Sequence, residues 1–464
     1  MDEAQEIALG SKEHQAVLKE MPAYPDARLQ AYVNALGQRL ASQSHRSTLQ
    51  WHFTVLDSPD INAFALPGGY VYVTRGIMAY LESEAELAGV IGHEIGHVTA
   101  RHGAQRATRQ QTAGIGVLAA TVLGAVLESQ GIGGAGQIAS EASQLAAAGY
   151  IASYGRDQEL QADRLGAEYL ARNRYDPNNM VEVIRLLKRQ EQYAADQARA
   201  QGREPPAGGG WLASHPSNDQ RLSAITALAT QFRSQGSYAD GGRAAYQQAI
   251  NGMRFGESDA QGLTRGRNFY HAGLGVAISA PQGWSIQNLA DRLVVVNTPR
   301  DAALVLRAVP AQDGESHSDT IRNLLKPLSG RTTPLLINGL LATHFRGTRA
   351  NTQGKAEPVE ATVVTGPAKQ RYILLWSARD GAALERARAG MQLARDTFRA
   401  MTAADRADAR PWVIRSVNFP PGGFAELARN SPLDDALAQL RLINGVYGGA
   451  GPAPGQSVKV VQRQ

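Results

Sequence analysis

Two histidines four residues apart constrain this chain more than any other feature. They lie in the segment His93-Glu94-Ile95-Gly96-His97. On an α-helix, side chains at positions i and i+4 share one face, about 5 to 6 Å apart. Both imidazoles can then reach one metal ion at about 2.0 to 2.1 Å, with Glu94 beside them. The spacing therefore predicts a helix that supplies two zinc ligands and an acid–base carboxylate.

The surrounding residues favour that helix. Ser83-Glu84-Ala85-Glu86 has the pattern of a capping box. Gly103 is able to end the helix, which places both histidines near its middle. Between these two points, apolar residues recur at helical spacing: Leu87, Ile91, Ile95 and Val98.

A catalytic zinc site needs a third protein ligand and an open position for water. Residues 154–163 open a second amphipathic helix, on which Glu159 and Asp163 share one face. This placement predicts that Glu159 binds the metal, while Asp163 accepts a hydrogen bond from a ligand histidine and fixes its tautomer. The chain has no cysteine, so a metal must be held by histidines and carboxylates. The inner side of the helix carries Ala162, Leu165, Gly166 and Tyr169.

The two motifs, H-E-I-G-H and Y-G-R-D-Q-E-L-Q-A-D, closely resemble those of the zinc peptidase family that includes the CAAX prenyl endopeptidases and the HtpX and BepA proteases. The resemblance covers about residues 1–235. It implies that one zinc ion is held by His93, His97 and Glu159. It also implies that Glu94 is the general base and then the general acid, and that Asp163 supports a ligand histidine.

Two other segments resemble less specific motifs of the same family. Asn62-Ala63-Phe64-Ala65 begins a stretch that looks like the family's edge strand, to which a substrate peptide adds as an extra strand. Ser214-His215-Pro216-Ser217 and Arg221 resemble the family's late His-Pro and Arg elements. By that match, His215 either closes over the metal or stabilises the oxyanion, and Arg221 assists. Gly155 stands where the family usually has Ser, a change that affects packing more than chemistry.

The other histidines fit competing sites less well. A metzincin needs a histidine six residues after His97, and that position is Gly103. His102 is therefore interpreted as a surface residue or as a contact of a ligand side chain. Three later histidines are expected to be ordinary surface or hydrogen-bonded residues: His271, His317 and His344.

The length of 464 residues exceeds what one core usually holds. We expect an α+β chain of three domains: a mainly helical peptidase domain with a small edge sheet (1–255), an α+β domain (256–404) and a small module (405–464). In the second, strands are predicted within 275–281, 293–296, 303–309 and 372–376, and helices at 318–328 and 382–401. This part faintly resembles PsbP-like sandwiches.

The last residues read as strand 412–417, helices 424–429 and 433–442, and strand 457–461. This order resembles a LysM module. LysM modules bind N-acetylglucosamine polymers, so the resemblance implies contact with peptidoglycan.

Charge and hydropathy limit the partners and the location. The net charge of +5 comes from scattered arginines without a basic cluster, which argues against a nucleic-acid role. The chain opens on an acidic stretch without an apolar signal segment, as expected of a cytosolic or a processed protein. Residues 113–127 are apolar but too short to span a bilayer comfortably. They fit a hairpin over the site, a patch on lipid or on a partner, or a buried helix.

The resemblance favours the bacterial periplasm, with a possible association with the outer membrane. Two functions remain open. One is a zinc endopeptidase that cleaves misfolded or envelope proteins. The other is a latent peptidase that acts as an assembly or chaperone-like scaffold.

Overall fold

The computed structural model describes residues 1–112, 154–200, 202, 215, 219–233, 238–239, 241–289, 291–310, 314–351 and 354–464. These residues pack into two compact units. The first contains the described residues up to 256 together with 412–464, and the second contains 257–411. The domain boundaries at 255 and 404 stay a prediction, because a compact unit can join segments that are distant in sequence.

The first unit is mainly helical. Its helices up to residue 256 are α1 (Glu3–Glu20), α2 (Ala27–Ser42), α3 (Arg75–Tyr80), α4 (Glu84–Thr99), α5 (His102–Thr112), α6 (Arg156–Arg172), α7 (Asn178–Ala200), α8 (Asp219–Arg233) and α9 (Arg243–Ile250). Its strands in this range are β1 (His52–Leu56), β2 (Ala63–Leu66), β3 (Tyr70–Thr74) and β4 (Arg254–Phe255).

A three-stranded sheet in the order β1-β3-β2 packs with these helices. Strand β3 is buried along its whole length, runs parallel to β1 and pairs antiparallel with β2. Strand β2 therefore lies at an edge of the sheet, as the sequence predicts for this segment, and it contacts α4.

Helix α4 begins as predicted but ends earlier. The Ser83 hydroxyl accepts a hydrogen bond from the Glu86 backbone N–H at 3.2 Å. The Glu86 carboxylate, however, accepts from the Glu82 N–H at 2.7 Å, so the predicted capping box is only half formed. The prediction that Gly103 ends the helix is wrong. Arg101 takes the left-handed conformation with a φ of 60°, and α5 already begins at His102.

The second unit contains two antiparallel sheets. Its strands are β5 (Leu263–Arg265), β6 (Asn268–His271), β7 (Val276–Ser279), β8 (Trp284–Asn288), β9 (Leu293–Asn297), β10 (Ala302–Val309), β11 (Pro327–Ile337), β12 (Leu340–Ala350), β13 (Ala356–Thr365), β14 (Arg371–Ala378) and β15 (Arg399–Ala400). Its helices are α10 (His317–Leu325), α11 (Gly381–Asp396) and α12 (Ala403–Asp408). The strand orders are β11-β12-β13-β14-β10-β9-β8 and β15-β7-β6-β5.

The predicted strands of this unit are present, but its helices are shorter than predicted. Lys326, at a φ of 46°, ends α10 before the predicted residue 328. Helix α11 ends at Asp396, and Arg399 and Ala400, which the prediction places in the helix, form β15. Strands β11 to β13 have no counterpart in the prediction. Strand β11 is exposed along most of its length, so it lacks the apolar alternation that marks a half-buried strand.

The C-terminal segment has the predicted element order. It comprises β16 (Trp412–Asn418), α13 (Gly423–Ala428), α14 (Ala436–Ile443) and β17 (Ser457–Arg463). The two strands are antiparallel, and β4 extends their sheet in the order β17-β16-β4. The segment thus packs within the first unit, and the likeness to a LysM module stays a prediction.

Among the described residues, no helix is both long enough and apolar enough to cross a bilayer. The apolar stretch 113–127 lies outside the described residues.

Candidate metal centre

Helices α4 and α6 approach each other closely at glycine residues. A Cβ atom on Gly96 would lie 2.7 Å from the carbonyl oxygen of Ala162, and one on Gly166 would lie 3.0 Å from the backbone nitrogen of His93. Only glycine allows backbones to come this close. The close packing brings the histidine face of α4 against the acidic face of α6.

Four buried side chains from three parts of the chain converge at this contact. The Nε2 atoms of His93 and His97 lie 3.0 Å apart. Glu159 places Oε2 at 3.6 Å from the His93 Nε2 and Oε1 at 3.4 Å from the His97 Nε2. The Nδ1 of His215 lies 3.1 Å from the His93 Nε2 and 3.0 Å from Glu159 Oε1. One ligand atom from each residue fits within 4.8 Å of all the others.

A carboxylate and a guanidinium hold the far side of His93. The His93 Nδ1 lies 2.8 Å from Asp163 Oδ1. Arg221 donates to both oxygens of Asp163, from Nε at 2.6 Å and from Nη2 at 2.8 Å. Burial opposes ionisation of Asp163, but Arg221 and His93 lower its pKa below the usual range. An ionised Asp163 accepts from the His93 Nδ1–H, which leaves the Nε2 lone pair facing the cluster.

Arg221 also contacts Glu159, with 2.8 Å between its Nη1 and Oε2. Burial acts to raise the pKa of Glu159, but the neighbouring imidazoles of His215, His97 and His93 hold it far below its usual range. Glu159 is therefore a carboxylate, the form that ligates metals.

His97 has a different set of neighbours. Its Nδ1 lies 2.9 Å from the Nδ1 of His102, whose Nε2 lies 3.2 Å from Gln161 Oε1. The ring of Tyr154 stacks on His97 with 3.8 Å between centroids. Burial lowers the pKa of His97 well below its usual value, so its imidazole is neutral. His102 is 1% exposed, so its interpretation as a surface residue is wrong, and it contacts His97, one of the predicted ligands.

The stacked Tyr154 is a site residue whose role the sequence analysis misses. Its only signal was its position at the start of the second motif, because nothing in spacing reveals that an aromatic ring covers a histidine on another helix.

The proposed acid–base residue lies inside the cluster. Glu94 is fully buried on α4, and its Oε1 lies 3.5 Å from the Nε2 of His215. His215 therefore faces the metal-ligand atoms with one ring nitrogen and Glu94 with the other. The residues on either side of it, Ser214, Pro216 and Ser217, lie outside the described residues.

The segment predicted to bind substrate lies beside α4 as edge strand β2. Ala63, Phe64 and Ala65 pair with β3, and Asn62 precedes the strand with its N–H donating to Thr74 at 3.1 Å. Among the described strands, β2 pairs only with β3. All four residues of β2 are buried, and the addition of a substrate strand here stays a prediction.

His271, His317 and His344 lie in the second unit. His317 contacts the hydroxyls of Thr343 and Thr365 at 3.0 and 2.7 Å. His344 contacts Thr362 and Glu360. Both are hydrogen-bonded, as expected.

Comparison with known proteins concerns mainly the first unit. Residues 27–229 match the family model of peptidase family M48. The "Beta-barrel assembly-enhancing protease" of Yersinia pestis is 32% identical over 233 residues, which are 49% of this chain and 45% of that protein. The "Mitochondrial metalloendopeptidase OMA1" of Arabidopsis thaliana is 30% identical over 181 residues, 39% of this chain and 32% of that protein. The chain thus spans less than half the length of these relatives.

One solved structure is similar to about a third of the chain. Cyanobacterial PsbP (CyanoP) from Synechocystis sp. PCC 6803 is 13% identical, with 32% of this chain and 98% of that chain covered at a TM-score of 0.23. A TM-score this low does not establish a shared fold, so the PsbP-like resemblance stays a prediction. For the first unit, the predicted family is confirmed: residues 27–229 form a domain of peptidase family M48.

Proposed function

We propose that this chain is a zinc-dependent endopeptidase that cleaves proteins of the bacterial envelope. One observation carries the proposal: the ligand atoms of His93, His97, Glu159 and His215 meet in a buried cluster, with Glu94 beside them. The M48 domain supports the reaction class, and the name of the Yersinia pestis relative supports an envelope role in protein quality control.

The donor atoms fit zinc. Four ligands at about 2.0 to 2.2 Å from a tetrahedral ion are separated from one another by about 3.3 to 3.6 Å. The Nε2 atoms of His93 and His97 and the carboxylate oxygens of Glu159 lie 3.0 to 3.6 Å from one another. Two imidazoles with one carboxylate are a common ligand set of catalytic zinc, and we propose these three residues as the ligands.

Zinc bound there would polarise the scissile carbonyl and acidify a water molecule. The chain's own residues supply the rest of the chemistry. Glu94 takes the proton of the attacking water and later delivers it to the leaving amine. Asp163 holds His93 in the ligating tautomer, and Arg221 holds Asp163 and Glu159 in place. A substrate peptide that adds to β2 through residues 62–65 would lie along α4.

His215 favours a second candidate function, a latent peptidase that acts as a scaffold. Its Nδ1 lies at ligand-like distances from His93 and Glu159. A site with four protein ligands is closed, like a structural zinc site, and offers no position for water. In this arrangement His215 blocks the reaction, whereas His215 moved aside is free to stabilise the oxyanion with Arg221. In this second candidate, cleavage requires that His215 leaves the cluster.

Metal content and casein cleavage, measured together for the wild type, Glu94→Gln and His215→Ala, separate these functions. We expect about one zinc per chain in all three proteins and no cleavage by Glu94→Gln. Faster cleavage by His215→Ala than by the wild type would identify His215 as a block. Zinc without cleavage in all three proteins would favour the scaffold, and cleavage by Glu94→Gln would refute the role of Glu94.

The partners follow as finer proposals. We place the protein in the periplasm, where residues 113–127 would make a peripheral contact with the outer membrane. For peptidoglycan, the first unit offers a cavity of about 890 Å³ between α9 and the C-terminal segment. Amide and hydroxyl groups, which suit a polyhydroxy ligand, line it: Gln247, Gln248, Asn251, Asn444, Ser416 and Ser457. Failure of the full chain to sediment with peptidoglycan sacculi would refute the glycan contact.

A further inference from the structure

The second unit has a cavity of about 170 Å³ between its two sheets. It lies far in sequence from the residues of the M48 domain. Its walls are mostly apolar, with side chains from β6, β7, β9 and β10 and from the turn before β7: Phe269, Leu274, Val276, Leu293 and Leu306. A cavity of about 150 Å³ with such walls is large enough to hold benzene. The space therefore suits a ligand whose body is about the size of a phenyl ring.

Two buried hydrogen-bond donors in the cavity wall lack acceptors. Tyr372 is 2% exposed, and its hydroxyl has no hydrogen-bond partner among the described residues. Arg292 is 5% exposed, and its Nη2 likewise has none in the described part of the chain. The Nε of Arg292 is already used, because it donates to Asp291 at 2.8 Å. Buried donors without acceptors are unfavourable, so each of these atoms favours a ligand oxygen.

The strand register places the two donors near the same end of β10, on its two sides. Tyr372 of β14 pairs with Ala308 of β10. On the other side of β10, Leu306 pairs with Leu293, the first residue of β9, and Arg292 directly precedes it. Strand β10 thus separates the two donors, and both line the same cavity.

The charge of the lining favours an anion. Its charged residues are Arg292, Arg307 and Asp291, so two positive charges face one negative charge and leave a net charge of one positive. Burial lowers the pKa of His271, which keeps this lining imidazole neutral. Burial also raises the pKa of Tyr372 to about 12, which keeps its hydroxyl a donor at neutral pH.

We propose that this cavity binds a small carboxylate with an apolar or aromatic body. The carboxylate accepts hydrogen bonds from Arg292 Nη2 and the Tyr372 hydroxyl, and the body fills the space between Phe269 and Leu306. A free carboxylic acid and the C-terminal residue of a peptide share this chemistry. The proposal does not depend on the peptidase activity of the first unit.

Calorimetric titration of the full chain tests the proposal with two pairs of probes. One pair is phenylacetate and phenylacetamide, and the other is an acetylated tripeptide ending in Phe and its C-terminal amide. We expect the acid of at least one pair to bind, and its amide to bind at least about tenfold more weakly. The reason is that a hydrogen bond to a charged group is stronger than one to a neutral group. The pair that shows the preference identifies the source of the carboxylate.

Variants then connect binding to the two donors. Arg292→Met and Tyr372→Phe should each weaken binding of the acid about tenfold or more. Arg395→Met is the matched control, because Arg395 also donates from Nε to the next aspartate, at 2.7 Å, but does not line the cavity. Tyr372→Phe should leave the melting temperature of the free protein unchanged or higher, because it removes a donor without an acceptor. That result separates lost binding from lost folding.

Three results would overturn the proposal. They are no binding of either acid at millimolar concentration, equal binding of acid and amide in both pairs, and unchanged affinity in both Arg292→Met and Tyr372→Phe.

Discussion

At the scale of single residues, Asp163 connects a proposed metal ligand to the rest of the site. It accepts from His93 and holds Arg221 through two hydrogen bonds. Asp163→Asn keeps the shape but removes the charge, so His93 becomes a weaker base and its tautomer is less firmly fixed. We expect zinc affinity to fall about ten- to a hundredfold. Competition with a chromophoric chelator measures this change directly.

Asp157→Asn is the control for this prediction. Asp157 is exposed on the same helix, α6, and this variant should compete with the chelator as the wild type does. Equal zinc affinity in Asp163→Asn and the wild type would mean that Asp163 does not support the ligand.

The sequence predicts residues of the site only where a local pattern encodes them. His93, Glu94 and His97 follow from helical spacing, and Glu159 follows from its motif. Spacing alone could not decide between the two interpretations of His102, because its contact with His97 depends on Arg101 taking a left-handed conformation between two helices. His215 is predicted only through the family resemblance, because no local pattern connects it to a cluster that it reaches from 122 residues beyond His93.

At the scale of elements, the start of helix α4 contains a buried carboxylate. Burial raises the pKa of Glu86 to about 7, whereas it is about 4.3 in an unfolded chain. The protonated form therefore stabilises the fold below about pH 4, and this contribution is lost as the pH rises through 7. The loss amounts to about 3 kcal/mol.

Glu86→Gln replaces the carboxyl group by a neutral amide of similar shape. We expect the free energy of unfolding of the variant, relative to the wild type, to rise by about 2 to 3 kcal/mol between pH 5 and pH 8. Urea unfolding at both pH values measures this difference. Glu191→Gln, on the exposed face of α7, should change stability equally at the two pH values. The same behaviour in Glu86→Gln would contradict the prediction.

Element boundaries were harder to predict than the elements themselves. Helices α4 and α10 end beside residues other than glycine in left-handed conformations, Arg101 and Lys326, which sequence rules do not mark. Ion pairing contributes at the first of these ends, because the Arg101 Nε donates to Glu6 of α1 at 2.8 Å. Such a contact is fixed by tertiary packing, so no local pattern reveals it.

At the scale of the whole molecule, the C-terminal segment is joined to the first unit by a buried cation. Lys459 of β17 is fully buried. It donates to the carbonyl oxygens of Ala79 and Leu81 at 3.0 and 2.6 Å and pairs with Glu82 at 2.8 Å. These partners directly precede helix α4. The sequence indicates a separable module here, because strand and helix patterns do not show what a strand packs against.

Lys459→Met tests whether this contact holds the segment in place. Methionine has a similar length but leaves two buried carbonyl groups and the Glu82 carboxylate without their ammonium partner, so we expect the free energy of unfolding to fall by about 3 kcal/mol. Urea unfolding at pH 7 measures the loss, and Lys12→Met, an exposed change on α1, should stay within about 0.5 kcal/mol of the wild type. A loss below about 1 kcal/mol in Lys459→Met would mean that residues 412–464 contribute little to the stability of the first unit and behave as an independent module. A fall of about 3 kcal/mol in the free energy of unfolding would make β17 part of the scaffold that positions helix α4.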